Sequence, residues 1–327
     1  MADGEIQFRI DLKMKVIAFD EKENEFKFEL EPDPRRYEWR EQDGKSWLYD
    51  KLDNLWIPED AFFKFLTNYL KDRPIGCQRP QIDPTEDYVD SRLSYVRKML
   101  TSTDSSAELI DKSDDFLNSL AVDKLGFAIL SLDIVGSTHL SNVMSPEKYM
   151  NLISTVLFEL SSVVPKFHGH VLKYTGDGII AYFPAPSFIR MNDLAIDCAF
   201  TMHLLIYKGI NLILKEEDYQ PLDIRIGIDS GEAYIVIIGS PETKRHRDII
   251  GSVVNLASKI QSLAGVGGIA LGNTTLRNLH TTWREICEEF MPRIDWPYKD
   301  QDGSPYRLHR VVGRKRLKGE TDPEKNT

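Results

Sequence analysis

The chain has few cysteines, no long unbroken apolar run and no surplus of basic residues. Its three cysteines, Cys77, Cys198 and Cys287, stand far apart in 327 residues. They fit neither a metal-binding CxxC pair nor a disulfide framework, so a reducing compartment is expected. No window nears the ~18 consecutive apolar residues of a membrane helix, and no membrane span is expected. The amino terminus, MADGEIQFRIDLKMK, lacks the apolar core of a secretory signal. Together these absences point to a cytoplasmic protein. Lys and Arg number 41 against 51 Asp and Glu, a formal charge of −10. Duplex binding rests on a basic face that neutralises phosphates, so no nucleic-acid partner is expected. Internal repeats and low-complexity tracts are also missing.

What is present is enough apolar residue, 42% of the chain, to build a core. At ~100–200 residues per domain, the length suits two folded units. The charge divides unevenly. Residues 1–120 carry 18 Lys and Arg against 27 Asp and Glu, whereas the remainder carries 23 against 24. An acidic first part before a near-neutral second part suggests two units with different roles.

Ile6, Phe8, Ile10, Leu12, Met14 and Val16 fall at alternate positions, and Phe26, Phe28 and Leu30 resume the pattern. With a polar run over 20–24 between them, this predicts a β-hairpin. Residues 37–70 are rich in aromatics, and Pro58 stands where a helix reaching Leu70 would begin. A small α+β unit of unknown role is expected over residues 1–72. Three prolines within 73–87 mark a linker, and Val89, Leu93, Val96 and Leu100 recur at helical spacing. Residues 73–122 thus read as linker and connecting helices. These either pack on a neighbour or transmit a signal that sets the geometry of a dimer.

From residue 126 the character changes. FAILSLDIV is apolar, β-capable and followed by Gly136-Ser137-Thr138. A helix is predicted from about 146 to 167. HVLKY, the turn TGDG and IIAYF form two strands around an Asp-Gly turn. A helix over about 191–215 precedes strands at DIRIGID and EAYIVIIG. A helix from Ser252, a strand at GGIALG and a helix over 274–279 follow. The order β-α-β-β-α-β is that of a ferredoxin-like unit, so the fold class is α+β. That unit is expected over 123–280, with an extension over 281–313 packed on it and a polar tail over 314–327.

Two carboxylates stand out. Asp133 closes an apolar strand, and Asp177 sits at the hairpin tip. If the two strands are neighbours, both carboxylates emerge at one edge of the sheet. Beside the amides of a Gly-containing turn, they suit divalent metals bound to a triphosphate. Taken singly, each has a plain reading: Asp177-Gly178 as a turn, Asp133 as a strand end before a helix. A third motif, DIIGSVVNLASK over 248–259, changes that balance. Its Asn255 and Lys259 are i and i+4 on one helix face. They read either as a solvated pair or as an amide and a cation beside substrate. Apolar Val254, Leu256 and Ala257 around Asn255 favour the second.

FAILSLDIVGST, LKYTGDGIIAYF, IRIGIDSGEAYIVIIG and DIIGSVVNLASKI, in this order and spacing, resemble the class III nucleotide cyclases, which include adenylyl and guanylyl cyclases. The resemblance covers about residues 126–280. It implies that Asp133, the Ile134 carbonyl and Asp177 hold two Mg²⁺ or Mn²⁺ ions. It implies that Gly136, Ser137 and Thr138 cradle the β- and γ-phosphates, that Asn255 orients the ribose and that Lys259 lies against the α-phosphate. The family has Arg where this chain has Lys259, a point charge without the planar fork. Lys244, Arg245 and Arg247 precede Asp248 and could reach the polyphosphate or stay solvated. The implied reaction turns a nucleoside triphosphate into a 3′,5′-cyclic monophosphate and pyrophosphate. The implied assembly is a head-to-tail homodimer with both active sites at the interface.

Lys173 and Asp248 fall where adenylyl cyclases read adenine. A lysine donating to a ring nitrogen and a carboxylate accepting from an exocyclic amine suit cytosine equally. The pair fits ATP or CTP better than GTP or UTP. Tyr174 and Tyr182 could narrow the pocket or serve as packing. The soluble layout and the stretch WPYKDQDGSPYRLHRV from Trp296 look like the bacterial pyrimidine cyclases of Pycsar antiphage systems. That likeness implies cyclic CMP or UMP as product and a cyclic-nucleotide-responsive effector downstream. An adenylate cyclase and a degenerate nucleotide-binding regulator are the other readings. The regulator would be marked by loss of a metal carboxylate, and both are present.

Overall fold

The computed structural model describes residues 11–20, 25–64, 81–82, 86–101, 116–117, 124–184, 188–240, 246–292, 295–300 and 302–313. The chain divides into two compact units, Met1–Arg79 and Pro80–Thr327.

In the first unit, β1 (Leu12–Asp20) and β2 (Glu25–Pro32) pair antiparallel, with a bulge between Val16 and Ala18. This is the hairpin predicted from alternation. Ile6, Phe8, Ile10 and the loop over 21–24 lie outside the described residues. An antiparallel meander of β3 (Tyr37–Gln42), β4 (Lys45–Asp50) and β5 (Leu55–Pro58) follows. Its first turn is Asp43-Gly44, both at positive φ (53° and 70°), the backbone that a two-residue hairpin requires. Helix begins at Glu59 and is described as far as Lys64, so the rest of the predicted helix to Leu70 lies outside the described residues. Tyr37, Leu48, Ile57 and Phe62 form a small core. Beside it, the wholly buried Arg36 pairs with Asp11 at 3.3 Å and with Asp50 and Asp53 at 2.8 Å.

The second unit opens with α1 (Glu86–Thr101), whose Val89, Val96 and Leu100 are buried. Its α+β part is built on β6 (Lys124–Val135), α2 (Ser137–Val143), α3 (Pro146–Val163), β7 (His170–Tyr174), β8 (Gly178–Phe183), α4 (Phe188–Leu204), a π-helical turn (Leu205–Ile210), α5 (Asn211–Glu216) and β9 (Asp223–Ile238). The sheet order β9-β6-β8-β7, with β6 antiparallel to both neighbours, is the ferredoxin-like arrangement predicted from element order. Then come β10 (His246–Ile250), α6 (Ser252–Leu263), β11 (Ile269–Gly272), α7 (Asn273–Arg277), α8 (Thr281–Arg284), β12 (Cys287–Phe290) and β13 (Leu308–Val311). Two expected strands, DIRIGID and EAYIVIIG, are one. Ser230 and Gly231 continue the pairing with β6 opposite Ala128 and Phe127, so β9 runs unbroken for 16 residues. Its first half pairs parallel with β11, and its last residues pair antiparallel with β10.

The two faces of β6 divide the core. Ala128, Leu130, Leu132 and Ile134 face the cluster filled by α3 and α4. Phe127 and Ile129 face a second cluster with Val253 and Ala257 of α6 and Leu117. Residues 190–216 are long and apolar enough to cross a membrane by length and composition. They serve instead as a core helix, with 67% of the most apolar window buried inside the protein. The extension over 281–313 is part of the sheet. β13 pairs with both β11 and β12, and Tyr306 donates its hydroxyl hydrogen to the buried Asp229 at 2.6 Å.

His170 of β7 stacks on both Phe116 and Tyr182, with ring centroids 4.1 and 5.2 Å away, the three rings forming one cluster. Tyr182 is thereby a packing residue. Burial pushes the His170 imidazole down to about 4. Between pH 6.5 and 4 the unfolded chain takes up a proton that the folded chain refuses, so stability falls as pH drops through that window. His170→Phe, which keeps the stack, is expected to lessen the loss of urea stability between pH 7.5 and pH 5 by roughly 1 kcal/mol. An equal loss in both proteins would contradict this. Gly178 gives a second test. A Cβ there would lie 2.6 Å from the Leu132 carbonyl oxygen of the adjoining strand. Gly178→Ala is expected to cost about 1–3 kcal/mol in urea denaturation, since the strands must part.

Candidate active site

The pairing of β6 with β8 places Asp133 opposite Gly178, so Asp177 lies beside it at the same end of the sheet. The β7–β8 turn is closed by the Thr175 N–H donating to the Gly178 carbonyl at 3.0 Å, with Gly176 at φ 84°. The Ile134 N–H donates to the Asp177 carbonyl at 3.4 Å, tying that turn to β6. Burial first, and then neighbouring Asp177, pushes the Asp133 carboxyl up. Arg225, opposite Asp133 on β9, opposes that with an ion pair at 3.1 Å. The buried Gln261 amide of α6 lies against Asp133 and also favours its ionised form. Its Nε2 makes no well-aligned hydrogen bond.

Two neighbouring carboxylates with one partial counter-ion have an unmet need for positive charge. That donor set fits Mg²⁺ or Mn²⁺, which bind oxygen and accept one or two carboxylates with the rest from substrate, water or backbone carbonyl such as Ile134. No group of three or more His, Cys, Asp or Glu that could hold a metal occurs among the described residues. Substrate phosphates would complete the coordination.

The turn after β6 is built for close approach. Gly136 adopts φ 74°, a left-handed conformation natural to glycine, and caps the amino end of α2. Ser137 is buried and its hydroxyl donates to Asp177. Thr138 follows on α2, exposed. The predicted phosphate turn and the two carboxylates are thus one cluster.

Lys173 and Asp248 also meet. Their Nζ–Oδ2 distance is 2.7 Å, and the Ile249 N–H donates to the other Asp248 oxygen at 2.8 Å. A bulge brings this about. Val171 pairs with Ala181 but Lys173 pairs with Ile180, so one extra residue, Leu172, redirects the strand. Arg247 lies on β10 opposite Ile237, while Lys244 and Arg245 lie outside the described residues. Tyr174 is exposed, 40% of its surface, near this pair in sequence.

Asn255 and Lys259 lie on the exposed face of α6. The buried face is Val253, Ala257, Ile260 and Gln261. Apolar neighbours in sequence therefore do not enclose Asn255, because the helix turns them away. One face of α6 contacts this chain's own Asp133 through Gln261, and the other presents Asn255 and Lys259 outward. Lys259 Nζ lies 5.9 Å from the centre of the Tyr298 ring. Arg225, Gln261 and Tyr298 were not singled out in the sequence. Arg225 alternates with inward-facing isoleucines in DIRIGID, and that phase was its only signal.

Residues 123–293 match the family described as the adenylate and guanylate cyclase catalytic domain. A cytidylate cyclase of Escherichia coli is 27% identical over 184 residues, 54% of this chain and 38% of that protein. A cytidylate cyclase of Staphylococcus aureus is 27% identical over 44% of this chain and 35% of its own length. An adenylate cyclase of Anabaena cylindrica is 27% identical over 46% of this chain and 30% of its own length. The matches thus span well under half of these relatives. Among solved structures, the guanylyl cyclase Cya2 is 26% identical with a TM-score of 0.51, over 58% of this chain and 93% of that one. The match covers just over half of the chain, and the chain belongs to the adenylate and guanylate cyclase catalytic domain family.

Proposed function

We propose that this protein is a pyrimidine nucleotide cyclase that converts CTP or UTP to the 3′,5′-cyclic monophosphate and pyrophosphate. The observation that carries the cyclase reading is the joined cluster of Asp133, Asp177 and the Gly136–Thr138 turn. Divalent ions held there by Asp133, Asp177 and the Ile134 carbonyl would supply Lewis acidity to the ribose 3′-hydroxyl and neutralise the polyphosphate. The chain's own groups do the rest. Backbone amides of the turn receive the β- and γ-phosphates, Asn255 orients the ribose, and Lys259 meets charge growing on the α-phosphate.

The base is read by Lys173 and Asp248. They now satisfy each other, so an entering base must replace both halves of that ion pair. Cytosine does so with a ring-nitrogen acceptor beside an amine donor. Adenine carries the same pattern, which sustains an adenylate cyclase as the second reading. Two cytidylate cyclases among the relatives, together with the Trp296–Val311 stretch, favour the pyrimidine. A cyclic pyrimidine nucleotide would act on a separate responsive effector, in keeping with an antiphage signalling role.

The two faces of α6 bear on assembly. Asn255 and Lys259 point away from the sheet whose Asp133 touches Gln261. One chain therefore does not close both sets around one nucleotide, and a second copy supplies the missing half. The resulting homodimer has two sites.

Incubation with ATP, CTP, GTP and UTP plus Mn²⁺, with products identified by mass, tests this reading. Cyclic CMP or UMP as the main product is expected. Cyclic AMP alone would establish the second reading. Asp133→Ala and Asp177→Ala are each expected to lower turnover at least about 10³-fold without loss of folding. Retained turnover in either would exclude the two-carboxylate site.

A further inference from the structure

We infer that Tyr298 is a positioning residue for Lys259. Its ring, carried by the carboxy-terminal extension, holds the ammonium where the α-phosphate is to be met. This rests on Lys259 being the cation of the proposed reaction.

Lys259 is exposed, and among the described residues no carboxylate pairs with it. The Tyr298 ring, 5.9 Å from Nζ, is the group set beside it. A lysine has a flexible four-carbon stem and a compact charge, without the fork by which arginine fixes itself on a phosphate. Left alone, it samples many positions. The electron-rich face of an aromatic ring attracts the ammonium and narrows that range.

The ring is itself firmly mounted. Trp296 packs on it with ring centroids 4.6 Å apart. The Tyr306 N–H donates to the Tyr298 carbonyl at 2.9 Å, and Trp296 Nε1 donates to the Tyr306 carbonyl at 2.8 Å. Tyr306 is in turn anchored by its hydroxyl on the buried Asp229. Trp296, Tyr298 and Tyr306 share one apolar cluster with Leu256, Ile260 and Leu263 of α6. The ring thus packs on the helix that carries Lys259. The exchange of arginine for Lys259 and the aromatic plate beside it are parts of one arrangement: the plate supplies an order that the lysine stem lacks.

The test is a double-mutant cycle in the full chain, with CTP and ATP each offered with Mn²⁺. Tyr298→Leu is expected to lower kcat about threefold, the size of an exposed cation–π contact, with KM unchanged. Tyr298→Phe, which keeps the ring, is expected to match the parent protein. In a Lys259→Ala background, Tyr298→Leu is expected to cost nothing further. A signal independent of turnover is available from ¹³C-methylated lysines. The Lys259 resonance, assigned by its loss in Lys259→Arg, is expected upfield from the ring current and shifts back in Tyr298→Leu. The proposal is overturned if Tyr298→Leu raises KM, which places the ring on the nucleotide instead. It is also overturned if the effect persists without Lys259, or if the resonance does not move. An undiminished kcat in Lys259→Ala would remove Lys259 from the reaction and fail the underlying reading separately.

Discussion

The close approach of β6 and β8 at Asp133 and Gly178 is the contact on which the site depends. A Cβ at 178 would press on the Leu132 carbonyl, so only glycine lets the strands meet there. Because they meet, Asp177 stands beside Asp133 and the Ser137 hydroxyl reaches it. The result is electrostatically awkward. Burial and a like charge both work against ionising Asp133, and Arg225 and Gln261 compensate only in part. Two divalent ions would relieve the excess, and a triphosphate would bring them. The site is thus poised by its own repulsion.

In the proposed homodimer, helix α6 would join this local arrangement to a second site. It lies flush on β9, where a Cβ on Gly227 would fall 2.2 Å from the Gln261 backbone nitrogen. That fit fixes which way each residue faces. Gln261 reaches the chain's own Asp133, while Asn255 and Lys259 face outward. On the proposed reading, a helix that touches Asp133 on one side and offers Asn255 and Lys259 on the other would link the two sites of the dimer. The carboxy-terminal extension stiffens it further, since Trp296, Tyr298 and Tyr306 pack on the same helix.

Much of this was legible in the sequence, for definite physical reasons. Strand β6 is an apolar run ending in a charged residue, and the Asp-Gly turn of β7–β8 has few alternatives to a hairpin. The α6 face carrying Asn255 and Lys259 followed from i, i+4 spacing, although its exposure was misjudged from neighbours in sequence rather than around the helix. The unbroken β9 was not legible. Asp229, Ser230 and Gly231 look like a turn, and only pairing with β6 makes them strand. The meander in the first unit was masked by its aromatic content, though Asp43-Gly44 was a hairpin signal. Lys173 and Asp248 are 75 residues apart, and only a bulge at Leu172 joins them. Arg225 and Tyr298 owe their positions to tertiary pairing alone.

The claim that binds these elements together is that each chain supplies half of two sites. Mixing two disabled proteins tests it most directly: Asp177→Ala, which lacks one half, and Lys259→Ala, which lacks the other. Each alone should be nearly inactive. Refolded or co-expressed in equal amounts, half of the dimers are mixed and carry one intact site, so about a quarter of the parent activity should return. No recovery, with mixed dimers shown to have formed, would contradict the account.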